Sequence, residues 1–194
     1  PGKAIEPENN PSEFIMYTGS AFPHKNLERL ISAFCILKEQ HPELKLVLVG
    51  KREKHSKDLE KWAKAHHPEE CLKDIIYTGF ISDQELKWYY QNAQAYVFPS
   101  LAEGFGLPGL EAMVHGCPVV SSDYSCMPEV HGDAAHYFNP SDIQDMATKI
   151  DEVISKPALS KKLIELGYQN VKRFSWRKFA NEHTKLFKKL LQED

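Results

Sequence analysis

The stretch that decides the fold is residues 99–111, PSLAEGFGLPGLE, which follows the apolar segment Ala95–Phe98. Pro108 suits the first turn of a helix, where its missing N–H leaves no hydrogen bond unmade. Gly104 and Gly106 carry no side chain just before that helix, so a ligand could approach the backbone closely. The stretch therefore predicts a strand, a glycine-rich loop and a helix, which is the repeating unit of a parallel α/β sheet.

Working outward from this stretch, apolar segments alternate with segments of helical periodicity. The predicted strands are residues 14–18, 44–49, 75–78, 95–98, 118–121 and 135–138. The predicted helices are residues 25–40, 56–66, 82–92, 107–115, 141–155, 157–172 and 175–191. This alternation predicts the α/β class, as a Rossmann-like doubly wound parallel sheet of about six strands with helices on both faces and a helical C-terminus. Residues 1–12 are polar and proline-bearing and are expected to be a linker to one domain over residues 13–194.

Composition narrows the class of protein. The 194 residues are 42% hydrophobic and 26% charged, and the net charge of −3 gives no reason to expect nucleic acid as a partner. No apolar run approaches the about 18–20 residues of a membrane-spanning helix. The cysteines match no zinc-binding template, so free thiols, buried or otherwise, in a reducing compartment are expected. These cysteines are Cys35, Cys71, Cys117 and Cys126.

The loop that follows the fourth predicted strand has the features of a nucleotide-sugar site, because ligands of open α/β sheets bind outside the carboxyl ends of the strands. The amides of Phe105, Gly106 and Leu107, with the helix dipole, are expected to form a cradle for pyrophosphate. Glu111, about one turn into the helix, is placed to accept hydrogen bonds from ribose hydroxyls, and Glu103 to face a sugar beyond the phosphates. One such carboxylate would be interpreted as a solvated acid, but two that bracket a Gly-x-Gly loop favour a site.

The loop after the first predicted strand, residues 19–26 (GSAFPHKN), places a cation at the start of a helix. Lys25 there conflicts with the positive end of the helix dipole unless an anion such as phosphate binds between them, and a solvated lysine is the alternative. Asn26 or His24 is a candidate helix cap. The predicted donor-binding residues of this loop are Gly19, Ser20 and Lys25.

Three more loops lie at the same predicted edge of the sheet. Lys51 and Arg52 follow the second strand and either add positive charge to the site or are exposed. Ile81 and Asp83 follow the third strand; the backbone of Ile81 is expected to meet a nucleobase, with Asp83 either contacting a base edge or acting as a first-turn acid. Glu129 follows the fifth strand and is either a sugar-facing group or a helix-start acid.

Residues 104–109 also spell Gly-x-Gly-x-x-Gly, the fingerprint of dinucleotide-binding proteins. That fingerprint begins at the end of a strand, whereas five residues separate Phe98 from Gly104 here. Pro108 lies inside the pattern, although Asp123 could serve as the acid that such proteins use to bind ribose. A dinucleotide-dependent oxidoreductase is therefore kept only as an alternative.

Five blocks, in their order and spacing, resemble the C-terminal domain of the glycogen-synthase-like, or group 1, family of retaining glycosyltransferases with the GT-B fold. The blocks are YTGSAFPHKNLERLISAF (17–34), LKLVLVGK (44–51), IIYTGFISDQEL (75–86), AYVFPSLAEGFGLPGLEAMVHGCPVVSSD (95–123) and PEVHGDAAHYFNP (128–140). The resemblance covers residues 13–190, and the Pro-His-Lys-Asn form of the first loop is similar to that of bacterial mannosyltransferase-like members.

The resemblance implies a retaining hexosyltransferase that uses a nucleoside-diphosphate sugar and requires no metal or other cofactor. GDP-mannose is the first expectation for the donor and a UDP-hexose the second. Lys25 and Glu103 are the implied catalytic residues: Lys25 holds the diphosphate and stabilises the leaving group, and Glu103 contacts the donor sugar. Glu111 would bind the ribose, the amides of the 105–107 loop the phosphates and donor sugar, and Ile81 with Asp83 the base.

Two departures from the family pattern bear on this reading. Many members carry Arg or Lys where this chain has Ser20, and Lys51 or Arg52 is the candidate to compensate. The N-terminal domain that binds the acceptor, a saccharide or lipid-linked saccharide, is absent from residues 1–194. Without it the chain is expected to bind donor but not to transfer sugar, and the apolar stripe of its last helix is expected to be exposed. The members of that stripe are Phe179, Leu186, Phe187 and Leu190.

The resemblance further implies polysaccharide biosynthesis in the cytoplasm, at the cytoplasmic face of a membrane where the acceptor is lipid-linked and the full-length enzyme associates peripherally. A non-catalytic nucleotide-sugar-binding module is the second alternative. The presence of Lys25, Glu103 and Glu111 argues against that alternative.

Overall fold

The computed structural model describes residues 2–8 and 10–191. Its strands are β1 (Phe14–Thr18), β2 (Lys45–Val49), β3 (Ile75–Gly79), β4 (Ala95–Phe98), β5 (Val119–Ser122) and β6 (Ala135–Phe138). Its helices are α1 (Leu27–Leu37), α2 (Lys54–His66), α3 (Glu69–Leu72), α4 (Asp83–Asn92), α5 (Leu107–Val114), α6 (Met127–His131), α7 (Ile143–Ser155), α8 (Pro157–Asn170) and α9 (Trp176–Leu190). All six predicted strands are confirmed.

The strands form one parallel sheet in the order β3-β2-β1-β4-β5-β6. The chain moves outward from β1 to β3 and then crosses back to place β4 on the other side of β1. Ile15 of β1 pairs with Ala95 of β4 at this reversal. Such a reversal leaves a crevice at the carboxyl ends of the two central strands, which is where ligands of doubly wound sheets bind.

Helices cover both faces of the sheet, as the apolar strands require. Ile15 and Tyr17 pack into the layer that contains α1 and α7, and the alternate residues Phe14 and Met16 pack into the layer that contains α4 and α5. All four side chains are buried. The doubly wound α/β fold predicted from the sequence is therefore confirmed, including its helical C-terminus.

Residue types at two helix ends explain where those helices begin and end. Ser82 and Glu85 form a reciprocal capping box at the start of α4. Gly116 follows α5 with a φ of 74°, the left-handed conformation that ends many helices.

The first helix differs from its prediction, which began it at Lys25 and ended it at residue 40. Pro23–Lys25 forms a separate 3₁₀ turn, and α1 runs only over Leu27–Leu37. Asn26 between them has a φ of 60°, and no α-helix can continue through a left-handed residue. Lys25 is therefore outside the α-helix, which weakens the argument that its charge opposes the helix dipole.

The prediction of free cysteines is wrong for one pair, because Cys35 and Cys71 form a disulfide. Cys71 lies on α3, a helix of four residues that is too short to show periodicity in the sequence. This helix brings Cys71 against α1, with the two Cα atoms 5.5 Å apart, inside the range that a disulfide spans. Cys117 and Cys126 are free, as expected.

The last helix, α9, has no buried residue among those described. Trp176 is 75% exposed and Phe187 is 59% exposed. The other members of the expected stripe, Phe179, Leu186 and Leu190, are exposed as well. Within residues 2–8 and 10–191, no helix has the length and apolar character needed to cross a bilayer.

Candidate active site at the carboxyl edge of the sheet

The two predicted catalytic side chains meet at the crevice between β1 and β4. Lys25 Nζ lies 2.5 Å from Glu103 Oε1, although the residues are 78 positions apart. Ser100 Oγ donates to the same carboxylate oxygen at 2.7 Å. The side chains of Lys25 and Glu103 are only 18% and 13% exposed. The anionic partner expected for Lys25 is therefore a carboxylate of the chain itself in this structure.

Backbone and side-chain bonds from two loops fix the position of Lys25. The Lys25 N–H donates to the carbonyl of Phe22 at 2.8 Å, which closes the 3₁₀ turn. Asn26 occupies the position before α1, but its side chain does not cap the helix. Its amide instead donates to the carbonyls of Pro99 at 3.0 Å and Pro140 at 2.8 Å. The loop after β1 is thereby tied to the loop after β4, which carries Glu103.

A buried tyrosine also hydrogen-bonds to the loop after β1. Tyr17 Oη donates to the carbonyl of Ser20 at 2.9 Å. Burial raises the pKa of Tyr17 well above its usual value, with the charge of Glu103 acting in the same direction, so the hydroxyl stays protonated. Gly19 has a φ of 143°, and a Cβ there would lie 2.7 Å from the Tyr17 hydroxyl. Glycine is thus required at the position that opens this loop.

The glycine-rich loop packs closely on a buried histidine. A Cβ at Gly109 would lie 2.3 Å from His131 Nε2. His131 is fully buried, and this burial lowers the pKa of its ring. The neutral ring must carry a proton on Nε2, because that atom contacts the Gly106 carbonyl at 3.3 Å and a carbonyl can only accept. His131 therefore supports the loop that contains the predicted phosphate-binding amides.

Glu111 extends from α5 toward α4, where a buried tyrosine binds it. Tyr90 Oη donates to Glu111 Oε2 at 3.2 Å. Burial, reinforced by the charge of Glu111, raises the pKa of Tyr90 well above its usual value. Tyr90 is therefore a permanent donor that orients the predicted ribose-binding carboxylate.

The predicted donor-binding residues of the first three loops share one cavity of about 350 Å³. They are Gly19, Ser20, Lys51, Ile81 and Asp83. Lys51 is thus available to compensate for Ser20. Arg52 is bound elsewhere, since its guanidinium contacts Glu60 at 2.5 Å and stacks over the ring of Tyr77 at 5.9 Å.

A second cavity of about 380 Å³ lies between α5 and the start of α9. Phe105, Leu107 and Glu111 line it, together with apolar side chains that include Val114 and Trp176. The predicted donor-binding residues are therefore divided between two cavities. Lys25 and Glu103 are not among the described residues that line either cavity. The Lys25–Glu103 ion pair lies at the crevice between β1 and β4. Glu129, the candidate of the loop after β5, lies in the first turn of α6.

Sequence reasoning missed the side chains that hold the site in place. His131 and Tyr90 lie in segments where a buried aromatic ring predicts only a core position. Ser125, which contacts Glu103, has a φ of 60°. No pattern in the sequence predicts this conformation. Within the part of the chain that the structure describes, no cluster of three or more His, Cys, Asp or Glu side chains is placed to hold a metal ion.

Comparison with known proteins assigns this chain to a family. The family profile described as "Glycosyl transferases group 1" matches residues 3–170. The chain is 34% identical over 184 residues to the serotype-specific mannosyltransferase WbdA of Escherichia coli, covering 94% of this chain and 22% of that protein. The chain thus spans about a fifth of this curated relative.

Solved structures show the same fold. Sucrose-phosphate synthase from Thermosynechococcus elongatus superposes with a TM-score of 0.82 at 24% identity, over 94% of this chain and 46% of that one. The C-terminal domain of a group 1 family glycosyl transferase (LpcC) from Francisella tularensis superposes with a TM-score of 0.70 at 26% identity, over 87% of this chain and 94% of that one. The chain belongs to the group 1 glycosyltransferase family and has the fold of its GT-B relatives.

Proposed function

We propose that this chain is the donor-binding domain of a retaining hexosyltransferase that uses a nucleoside-diphosphate sugar, with GDP-mannose as the donor. The observation that carries the proposal is the Lys25–Glu103 pair at the β1/β4 crevice, withdrawn from solvent beside the glycine-rich loop. Ion pairs that serve only the surface are exposed and contribute little to stability. A pair held at the ligand-binding edge of a doubly wound sheet is instead suited to chemistry.

Lys25 supplies the charge that the reaction requires. Departure of the nucleoside diphosphate builds negative charge on the phosphates, and a prepositioned ammonium stabilises that charge in the transition state. Because Glu103 neutralises Lys25 in the present structure, donor binding exchanges one anionic partner for another. Glu103 is then available to contact the donor sugar.

Retention follows from attack on the same face. The anomeric carbon becomes oxocarbenium-like as the diphosphate leaves, and the acceptor hydroxyl attacks from the side of the departing phosphate. A phosphate oxygen takes the proton of the acceptor hydroxyl. No protein nucleophile and no metal ion is required, because Lys25 and the amides of the 105–107 loop carry the electrostatic role.

Asp83 supports guanine as the base. It lies in the first turn of α4, exposed at the cavity that Ile81 also lines. A carboxylate can accept two hydrogen bonds from the N1–H and N2–H₂ edge of guanine, whereas uracil offers one N–H. A mannosyltransferase is also among the relatives of this chain, and mannose is the sugar that we assign.

The acceptor is bound by a further domain that residues 1–194 do not include. The solved structure of a glycosyltransferase C-terminal domain is covered over 94% of its length by this chain. An exposed amphipathic helix needs a surface to cover it. We assign the apolar stripe of α9 to the contact with the acceptor domain, which binds a saccharide or a lipid-linked saccharide.

Calorimetric titration tests the donor assignment. The chain is titrated with GDP-mannose, GDP, UDP-glucose, UDP and NADH, and binding is expected for the two guanine nucleotides. Glu111→Ala should weaken that binding, while Glu70→Ala, at an exposed glutamate of α3 that lines neither cavity, serves as a matched acidic control. Binding of NADH alone would favour the oxidoreductase, and silence toward every nucleotide from both this chain and the longer protein would refute the proposal.

A further inference from the structure

Two residues other than glycine have left-handed backbone among those described, and both lie beside the Lys25–Glu103 pair. Among the described residues, the non-glycine positions with positive φ are Asn26 and Ser125, each with a φ of 60°. Asn26 directly follows Lys25, and Ser125 contacts Glu103. Non-glycine residues rarely adopt this conformation, and where they do they cluster at functional sites. Both strained residues therefore bracket the same ion pair.

Ser125 holds both backbone groups of Glu103 with one hydroxyl. Its Oγ accepts from the Glu103 N–H at 3.2 Å and donates to the Glu103 carbonyl at 3.0 Å. Cys126 Sγ donates to the same carbonyl at 3.4 Å. Since the N–H and the carbonyl lie on either side of Cα, fixing both sets the direction in which the Glu103 side chain leaves the backbone.

The other end of the ion pair is fixed in a parallel way. Asn26 anchors the turn that carries Lys25 to the carbonyls of Pro99 and Pro140. Glu103 is thus held from the loop after β5, and Lys25 from the loops after β4 and β6. The alignment of the two side chains depends on loops that are distant in sequence.

A simple turn does not explain Ser125. Glycine adopts a φ of 60° without strain, so a turn alone would favour glycine at this position. Serine is less stable than glycine in this conformation, but its hydroxyl makes both hydrogen bonds to the backbone of Glu103. The side chain of Ser125 is therefore tied to Glu103 and not to the shape of its own loop.

We propose that Ser125 is a positioning residue for sugar transfer, which acts through Glu103 and does not touch the donor. The inference rests on the proposed function, because it takes the Lys25–Glu103 pair to serve that reaction. Ser125 sets the direction of the Glu103 carboxylate, so that the carboxylate reaches Lys25 before the donor binds and the donor sugar afterwards.

A double-mutant cycle in the longer, transfer-competent protein tests this role. Ser125→Gly removes the hydroxyl and keeps the left-handed backbone accessible, so the fold is preserved. We expect kcat to fall about tenfold, the effect of losing the net free energy of one or two hydrogen bonds, with the donor KM unchanged. In a Glu103→Gln background the same substitution should have almost no further effect, because residues that act through one another are not additive.

The controls separate this role from general loosening. Ser12→Gly alters an exposed serine before β1, at the opposite edge of the sheet, and should leave kcat unchanged. Ser125→Asn tolerates the left-handed backbone and offers both a donor and an acceptor, so it should recover part of kcat. Wild-type kcat in Ser125→Gly, or an equal fall in both backgrounds, would overturn the inference.

Amide hydrogen exchange distinguishes failure of this inference from failure of the proposed function. In residues 1–194, the Glu103 amide should exchange at least about tenfold faster in Ser125→Gly than in wild type, because its acceptor is gone. A wild-type protein that transfers no sugar would remove the proposed function and the role of Ser125 in transfer, while faster exchange would still show the hold on Glu103. Unchanged exchange would remove that hold as well.

Discussion

The crevice that contains Lys25 and Glu103 differs from the final helix, α9, in which side chains are exposed to water. In the crevice, charged side chains are withdrawn from water, and each has partners from distant loops. Along α9, large apolar side chains are exposed and no described residue is buried. Charges in a crevice cost free energy unless they are paired, whereas an apolar stripe costs free energy until something covers it. The charges of the crevice are therefore paired within the described residues, whereas the large apolar side chains of α9 are left exposed.

The largest expected effect on activity comes from removing the charge of Lys25 in the crevice. In the full-length transferase that we propose, Lys25→Ala should lower kcat by about 10²- to 10³-fold, the usual loss when one electrostatic donor to a developing charge is removed. Lys57→Ala, which removes an exposed cation of α2 that lines neither cavity, is the matched control and should leave kcat almost unchanged. Steady-state kinetics measure both, and near wild-type transfer by Lys25→Ala would show that the crevice is not catalytic.

Stability measurements sharpen the contrast with α9. Ile150→Ala, at a fully buried position of α7, should lower the free energy of unfolding by about 2–5 kcal/mol. Phe187→Ala on α9 should change it by no more than about 0.5 kcal/mol in this chain, because an exposed ring gains little on folding. Urea unfolding of both variants is the measurement. A large loss from Phe187→Ala would mean that α9 already packs within this chain.

A smaller effect tests the support of Glu111. Tyr90→Phe removes the hydroxyl that donates to Glu111 Oε2 and should weaken GDP binding about threefold, less than the loss expected for Glu111→Ala, because one neutral hydrogen-bond donor to a charge is lost. Calorimetry at constant ionic strength measures the difference. Equal losses from the two variants would place the ribose contact on Tyr90 itself.

The smallest effect concerns a cluster of charged side chains around Glu152, which is partly buried and lies in neither region. Hydrogen bonds from His136, then Lys156 and Lys149, lower the pKa of Glu152 to about 2. A folded-state pKa below the unfolded value of about 4.3 gives stability that is present above that value and is lost as the pH falls toward about 2. The difference in Tm between wild type and Glu152→Gln should shrink over this window, and a difference that grows on acidification would contradict the assignment.

Much of the site was predictable because its residues follow strand ends. Glu103 and Glu111 bracket a glycine-rich loop after an apolar strand, and this local pattern was enough to place both residues at the carboxyl edge of the sheet. The binding of phosphate there stays a prediction. The start of α1 was predicted wrongly, because helical periodicity cannot show a left-handed residue. Asn26 adopts that conformation where its side chain bonds carbonyls from other loops.

The sequence by itself determined the order of the strands and of the longer helices along the chain, because apolar runs and helical periodicity are local properties. It also determined the family, through motifs whose order and spacing survive in one dimension. Only the tertiary structure decided that Lys25 pairs with Glu103, that Ser125 holds the backbone of Glu103, and that Cys35 bonds Cys71. These contacts join residues 78, 22 and 36 positions apart, and they depend on loop conformations that the packing of the whole sheet fixes and that no local pattern encodes.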